Sequence, residues 1–183
     1  MNNIEAEKAE VEAVLRVLLG LPLWAAGRLL DLEWFEFGAR HVGKDHRGRE
    51  REVGEYALHT QCSWRIAGPE GIVVGSRDRF RPRGNPEEVP EDFDCNKTGE
   101  TLCDERTEAF FSGPCKDSLI VEEIVVGDWG AFSLSLGGGF ALDVFPDDSL
   151  DDENWRFFQP YCETPHFVLA GGTLKKHEYH PPE

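Results

Sequence analysis

A chain of 183 residues that is 40% hydrophobic and 11% aromatic has the material for one buried core, which excludes a disordered chain and leaves little room for two independent domains. Its net charge of -16 excludes the basic footprint of a nucleic-acid binder and disfavours anionic lipid surfaces. No apolar run approaches the ~18 residues that a membrane-spanning helix needs.

Met1 to Glu12 carries four glutamates and a single lysine where a basic secretory leader would sit, so a cytoplasmic chain is expected. In that compartment the five cysteines, Cys62, Cys95, Cys103, Cys115 and Cys162, read as free thiols. From residue 4 to 19, apolar residues recur at Ala6, Ala9, Ala13, Val14, Val17 and Leu18, with acids near the start, which predicts one amphipathic helix ended by Gly20 and Pro22. After it the pattern changes to short runs rich in aromatic and β-branched residues: "LDLEWFEF", "EYALHTQCSWRI", "GIVVGS", "SLIVEEIVV", "FSLSL", "FALDVF", "NWRFF" and "HFVLAGG". Eight such runs without helical crossovers predict mostly antiparallel pairing. The fold class expected is α+β: an N-terminal helix packed on a mostly antiparallel sheet built from two meander-like pseudo-repeats.

The repeat rests on two stretches. Tyr56-Ala57-Leu58-His59 and Phe140-Ala141-Leu142-Asp143 each follow a glycine, and each leads to a Trp-Arg pair, Trp64-Arg65 and Trp155-Arg156. Alternation along a strand sends each Trp inward and its Arg to the other face. The second unit holds an acidic insertion, "PDDSLDDE", before its Trp. The division expected is therefore a helix over 4–19, a first β unit over 29–80, a long acidic excursion over 81–117 with a short helix within 98–111, a second β unit over 118–174 and a tail over 175–183, all one domain.

Gly137-Gly138-Gly139 resolves by register. With all three glycines in the loop, Leu136 faces Phe140, Leu134 faces Leu142 and Phe132 faces Val144, so the apolar side chains share one face. A phosphate loop would need a following helix and, in the Walker form, a Lys-Ser/Thr pair, and Phe-Ala-Leu-Asp-Val offers neither.

Candidate chemistry is thin. Cys95, Cys103 and Cys115 lack the close spacing of a structural zinc knuckle. Cys62 has His59 three residues away on the same strand, hence on the opposite face. No catalytic set, metal set or cofactor is expected. The strongest feature is charge: residues 91 to 155 hold 17 acidic and three basic residues, nearly all of the excess. Asp147, Asp148, Asp151, Asp152 and Glu153, together with Asp104 and Glu105, are the candidate partner-binding residues, and a cationic protein surface is the partner they suit. The rival expectation is a small metal-binding protein or hydrolytic enzyme using the acidic loop or the thiols. A third is a structural subunit that forms a homodimer through sheet edges.

The stretch "GAFSLSLGGGFALDVFPDDSLDDENWRFFQP" through "FVLAGG" resembles small acidic bacterial domains of unknown function, some of them among immunity proteins of toxin systems. The resemblance covers about residues 127 to 174, and by the internal match residues 30 to 80. It implies an α+β fold, no catalytic residues, and a toxin as one form of the cationic partner.

Overall fold

The computed structural model describes residues 3–44 and 48–178. Helix α1 (Asn3–Leu15) runs into a 3-10 turn at Arg16–Leu18. Five strands follow: β1 (Leu23–Leu29), β2 (Leu32–Lys44), β3 (Glu50–Thr60), β4 (Ser63–Gly68) and β5 (Gly71–Gly75). Helix α2 (Leu102–Ser112) then precedes β6 (Val121–Val126), β7 (Phe132–Leu136), β8 (Phe140–Phe145), β9 (Glu153–Phe158), β10 (His166–Ala170) and β11 (Thr173–His177). The chain is α+β, as expected, but its strands form two antiparallel sheets rather than one. The orders are β1-β2-β3-β9-β10-β11 and β5-β4-β8-β7-β6.

The sheets pack face to face around one hydrophobic cluster. Phe35 on β2 meets Trp64 on β4 edge-on at 5.2 Å, and Phe132 on β7 meets Trp155 on β9 in the same way at 5.6 Å. Each such aromatic pair adds about 0.5–1.5 kcal/mol beyond the area it buries. Trp155 is fully buried and its indole N–H donates to the Gly130 carbonyl at 2.9 Å, so the polar atom of the largest core side chain is satisfied. Arg65 and Arg156, next in sequence to the two tryptophans, lie on the outer faces and pair with Asp143 and Glu153.

The helices close the open sides of this sandwich. Helix α1 lies against β6 and β11, and α2 against β1 and β5. The buried side chains are Val11 and Leu15 of α1 and Leu18 of the 3-10 turn, with Val14 half-buried, whereas Ala6, Ala9, Ala13 and Val17 are exposed. The expected apolar face is therefore rotated, because alanines bury too little surface to set the phase against Val11 and Leu15.

A helix leads to three strands in one sheet (β1-β2-β3, then β6-β7-β8), and the chain crosses to the other sheet for β4-β5 and then β9-β10-β11. The segments that lead from the helices into β1 and β6 pair with each other, Leu23 N–H donating to the Leu119 carbonyl and Val121 N–H to that of Leu21, both at 2.9 Å. This correspondence is one of strand placement. It does not extend to the sheet crossings, which take two residues in the first half (61–62) and seven in the second (146–152).

The three-glycine hairpin has the expected register: Leu136 opposite Phe140, Leu134 opposite Leu142, Phe132 opposite Val144. Gly138 and Gly139 take φ of 79° and 78°, a left-handed conformation that costs a residue with a Cβ about 1–2 kcal/mol. Gly137 is required for a different reason, since a Cβ there would lie 2.0 Å from the Ser118 carbonyl oxygen.

Several expectations need correction. "EYALHTQCSWRI" is two strands in different sheets, divided at Gln61-Cys62. Residues 23–29 form an edge strand ahead of the expected first unit, and β11 (Thr173–His177) continues through residues 175–177, where a tail was expected. The 81–117 excursion is tied down where Pro82 bridges to Thr101, and the short helix expected within 98–111 is α2.

Candidate functional site

Two neighbouring regions at the sheet crossings gather the unusual side chains. The first is the acidic link 146–152 between β8 and β9. Asp147, Asp148, Asp151 and Asp152 are all exposed, and between them Leu150 is 65% exposed. Their carboxylates do different work. Asp147 accepts from the Ser63 N–H and hydroxyl, which fastens the link to the start of β4. Asp148 accepts from the Leu150 N–H, an Asx turn. Asp151 pairs with Lys175 on β11 at 2.6 Å, and Glu153 with Arg156 at 2.6 Å. Asp152 has no side-chain partner among the described residues.

Asp104 and Glu105 do not join this group. Asp104 is buried, and it is the third residue of a capping box at the start of α2: its N–H donates to Thr101 Oγ1, and its carboxylate accepts from the Thr101 N–H at 3.0 Å. The same carboxylate receives two N–H groups of Arg28, at 2.8 and 3.3 Å. Burial pushes its pKa up, but the bonds from Arg28 and Thr101 outweigh that and hold it below the usual carboxylate range. Glu105 accepts from the Gly84 N–H at 2.8 Å and so fixes the excursion.

Trp129 stands beside the acidic link and was not singled out by the sequence. It is 61% exposed and takes φ 59°, ψ 30°, a left-handed conformation uncommon for any bulky residue. The backbone is held there by its neighbour. Gly130 also has positive φ, its carbonyl binds the Trp155 indole, and a Cβ on it would meet Leu169 at 2.3 Å. The Trp129 ring rests over Gly172 in the β10–β11 turn, and Asp151 rests against Gly171 in the same turn. The exposed indole and the exposed Asp151 thus share one turn of the chain as their base.

The second region is a cleft of about 200 Å³ where β2 begins and β3 crosses to β4, lined by Glu33, Gln61, Cys62, Arg77, Arg79 and Asp147 among others. Glu33 is 2% exposed. It lies in phase with Phe35 and Phe37 on β2, so alternation alone points it inward. Burial raises its pKa well above the usual carboxylate range, and the opposing attraction of Arg28 does not restore it. That guanidinium is fully engaged, its remaining N–H groups donating to the carbonyls of Leu30, Cys95 and Lys97. Cys103 Sγ approaches Glu33 at 3.9 Å.

These surroundings disfavour the thiolate at two of the cysteines. Burial, with Asp147 nearby, pushes Cys62 up to about 12, and burial with Glu33 raises Cys103 further. All five cysteines are free, and the described residues contain no group of three or more His, Cys, Asp or Glu placed to hold a metal ion.

A third cluster lies on the outer face of the six-stranded sheet. His59 sits between Trp34 on β2 and Arg156 on β9, edge-on to Phe158 at 4.8 Å. Arg156 approaches His166 Nδ1 at 3.0 Å. Burial first and Arg156 second lower the pKa of both rings, that of His59 to about 4.

None of the protein-family models, curated proteins or solved structures compared with the chain matches it. No helix among the described residues is long and apolar enough to cross a membrane.

Proposed function

We propose that the chain is a non-enzymatic binding protein whose acidic face docks a cationic protein partner. The observation that carries this reading is the exposed link 146–152, which presents Asp147, Asp148, Asp151 and Asp152 around an exposed Leu150 and beside the exposed Trp129. Acids supply steering and register, while a large indole surrounded by charge has the make-up of an interface anchor. The pairs Asp151–Lys175 and Asp128–Lys8 at its margin are solvent-exposed and therefore weak, so a partner's cations can displace them. The resemblance of residues 127–174 to immunity-type domains suggests the concrete form: a cytoplasmic protein that covers a basic, nuclease-like toxin surface.

Thiol-based catalysis is opposed by the same burial that raises Cys62 and Cys103. Dimerisation by sheet edges would have to pass α1 and α2, which occupy both open sides of the sandwich.

The test is the association rate of a partner captured by the tagged chain. The variant Asp148→Asn/Asp152→Asn removes two charges while keeping, at position 148, an amide oxygen able to accept from the Leu150 N–H. At low salt it should associate roughly tenfold more slowly, with the difference shrinking as salt is added. A captured partner whose on-rate ignored both salt and these substitutions would refute the reading.

A further inference from the structure

The cleft at the first sheet crossing has ionisable side chains at both ends whose polar atoms are incompletely partnered among the described residues. At its floor, Glu33 Oε1 is buried without a hydrogen-bond partner among the described residues. Arg28 cannot serve it, since all five of its N–H groups are spent on Asp104 and three carbonyls. Directly across the ladder from Glu33, Thr60 Oγ1 is buried and equally unpartnered. Polar groups in this state are costly to a fold unless something donates to them.

At the mouth, Arg77 and Arg79 lie over the Phe80 ring at 5.8 and 4.7 Å. Among the described residues neither guanidinium meets a carboxylate. Of the other acids in the lining, Asp31 lies in the β1–β2 turn and Asp147 is held by Ser63. Among the described residues the cleft therefore has an unpartnered carboxylate oxygen inside and two guanidiniums without a carboxylate outside.

We propose that this cleft binds a small zwitterion of the basic amino-acid class, its guanidinium or ammonium end pairing with Glu33 and its carboxylate meeting Arg77 and Arg79. A space of about 200 Å³ lies below the usual size of drug or nucleotide sites and suits a molecule of amino-acid size. A basic side chain on a protein could bring the same cationic head, but the two guanidiniums at the mouth repel a cationic surface and welcome a free carboxylate. The site does not rest on the acidic-face reading. Burial raises the Glu33 pKa above the ordinary range and a cation bound beside it acts in the opposite direction, so binding is coupled to loss of a proton from Glu33.

Calorimetric titration of the full chain tests this with L-arginine and L-lysine, each in two buffers of different ionisation enthalpy. Agmatine, which keeps the guanidinium and lacks the carboxylate, and a Gly-Arg-Gly peptide blocked at both ends separate the sources. Saturable binding of a basic amino acid with proton release is expected, with agmatine and the peptide weaker by about tenfold or more. Glu33→Gln should remove both the affinity and the proton release. The surface variant Arg77→Gln/Arg79→Gln, which leaves the core intact, should reduce L-arginine to the level of agmatine without changing agmatine itself. The proposal is overturned if neither amino acid binds saturably, if agmatine or the blocked peptide binds as tightly, or if the arginine variant binds L-arginine unchanged.

Discussion

Acidification should destabilise this protein through His59 before most of its carboxylates are protonated. In the native state the ring is enclosed by Trp34, Phe158 and Arg156 on the outer face of the six-stranded sheet, and its pKa falls from 6.5 to about 4. Burial is the largest cause; Arg156 and then Arg51 add repulsion, Glu153 opposes them, and His166 lowers the pKa a little further. A histidine with a depressed native pKa binds fewer protons when folded than when unfolded. Its contribution to stability is therefore present above pH 6.5 and is lost as pH falls toward 4. The full difference corresponds to about 3 kcal/mol, and about 2 kcal/mol of it is already gone by roughly pH 5.

The assay is urea denaturation of the wild type and of His59→Phe, an apolar replacement that can stay beside Phe158, at neutral pH and near pH 5. Other groups titrate in both proteins, so the quantity of interest is the difference between the two profiles. The stability of His59→Phe relative to the wild type should rise by about 2 kcal/mol across that interval. Parallel profiles would refute the assignment, as would an NMR titration placing the His59 ring near its ordinary pKa.

Three further outcomes follow from the geometry. Arg28→Ala strands the buried Asp104 carboxylate and three carbonyls, and should cost about 3–5 kcal/mol in denaturant unfolding; the double change Arg28→Met/Asp104→Leu should cost less than the single one. Gly137→Ala places a methyl against the Ser118 carbonyl and should lose about 1–3 kcal/mol by the same measurement. Trp129→Gly removes the left-handed strain, so thermal melting should show a protein as stable as the wild type or about 1 kcal/mol more so, while partner association weakens.

What could be read from the sequence was what local chemistry determines. The hairpin register at Gly137–Gly139 and the inward tryptophans beside outward arginines depend only on turn geometry and alternation, and both appear in the fold. The crossing at Gln61-Cys62 is different in kind. Nothing within "EYALHTQCSWRI" marks a break, because the reason for it is tertiary: Leu58 packs from one sheet and Trp64 from the other. Edge strand β1 was hidden by Ala25-Ala26-Gly27, where small residues are required by the partner strand. A Cβ on Gly27 would overlap the Trp34 ring at 2.3 Å. Glu33 was legible and missed, since its phase with Phe35 and Phe37 marks it as facing inward. The pattern Thr-x-x-Asp at 101–104 likewise announced the cap that consumes Asp104, and with it the reason this acid is not part of an open face.

Both candidate regions lie at sheet crossings, and there is a physical reason for that. Within a sheet the ladder satisfies each backbone group, and the side chains are divided between a packed face and a solvated one. At a crossing the chain leaves one ladder before joining the other, so its polar groups must find side-chain partners, and the space between the sheet ends is not filled by core residues. The short crossing at 61–62 leaves a cleft with Glu33 at its floor, one carboxylate oxygen of which has no partner among the described residues. The long crossing at 146–152 sends Asp147 back to Ser63, at the mouth of that same cleft, and carries its other aspartates outward. A single residue thus joins the two regions. Asp147→Asn should keep the bonds to Ser63 in part and leave the outer loop in place, whereas Asp147→Leu should release it. If the loop is positioned through Ser63, the second change alone should increase hydrogen exchange at residues 146–152, while equal exchange in both variants would show the link to be held by Asp151 and Lys175 instead.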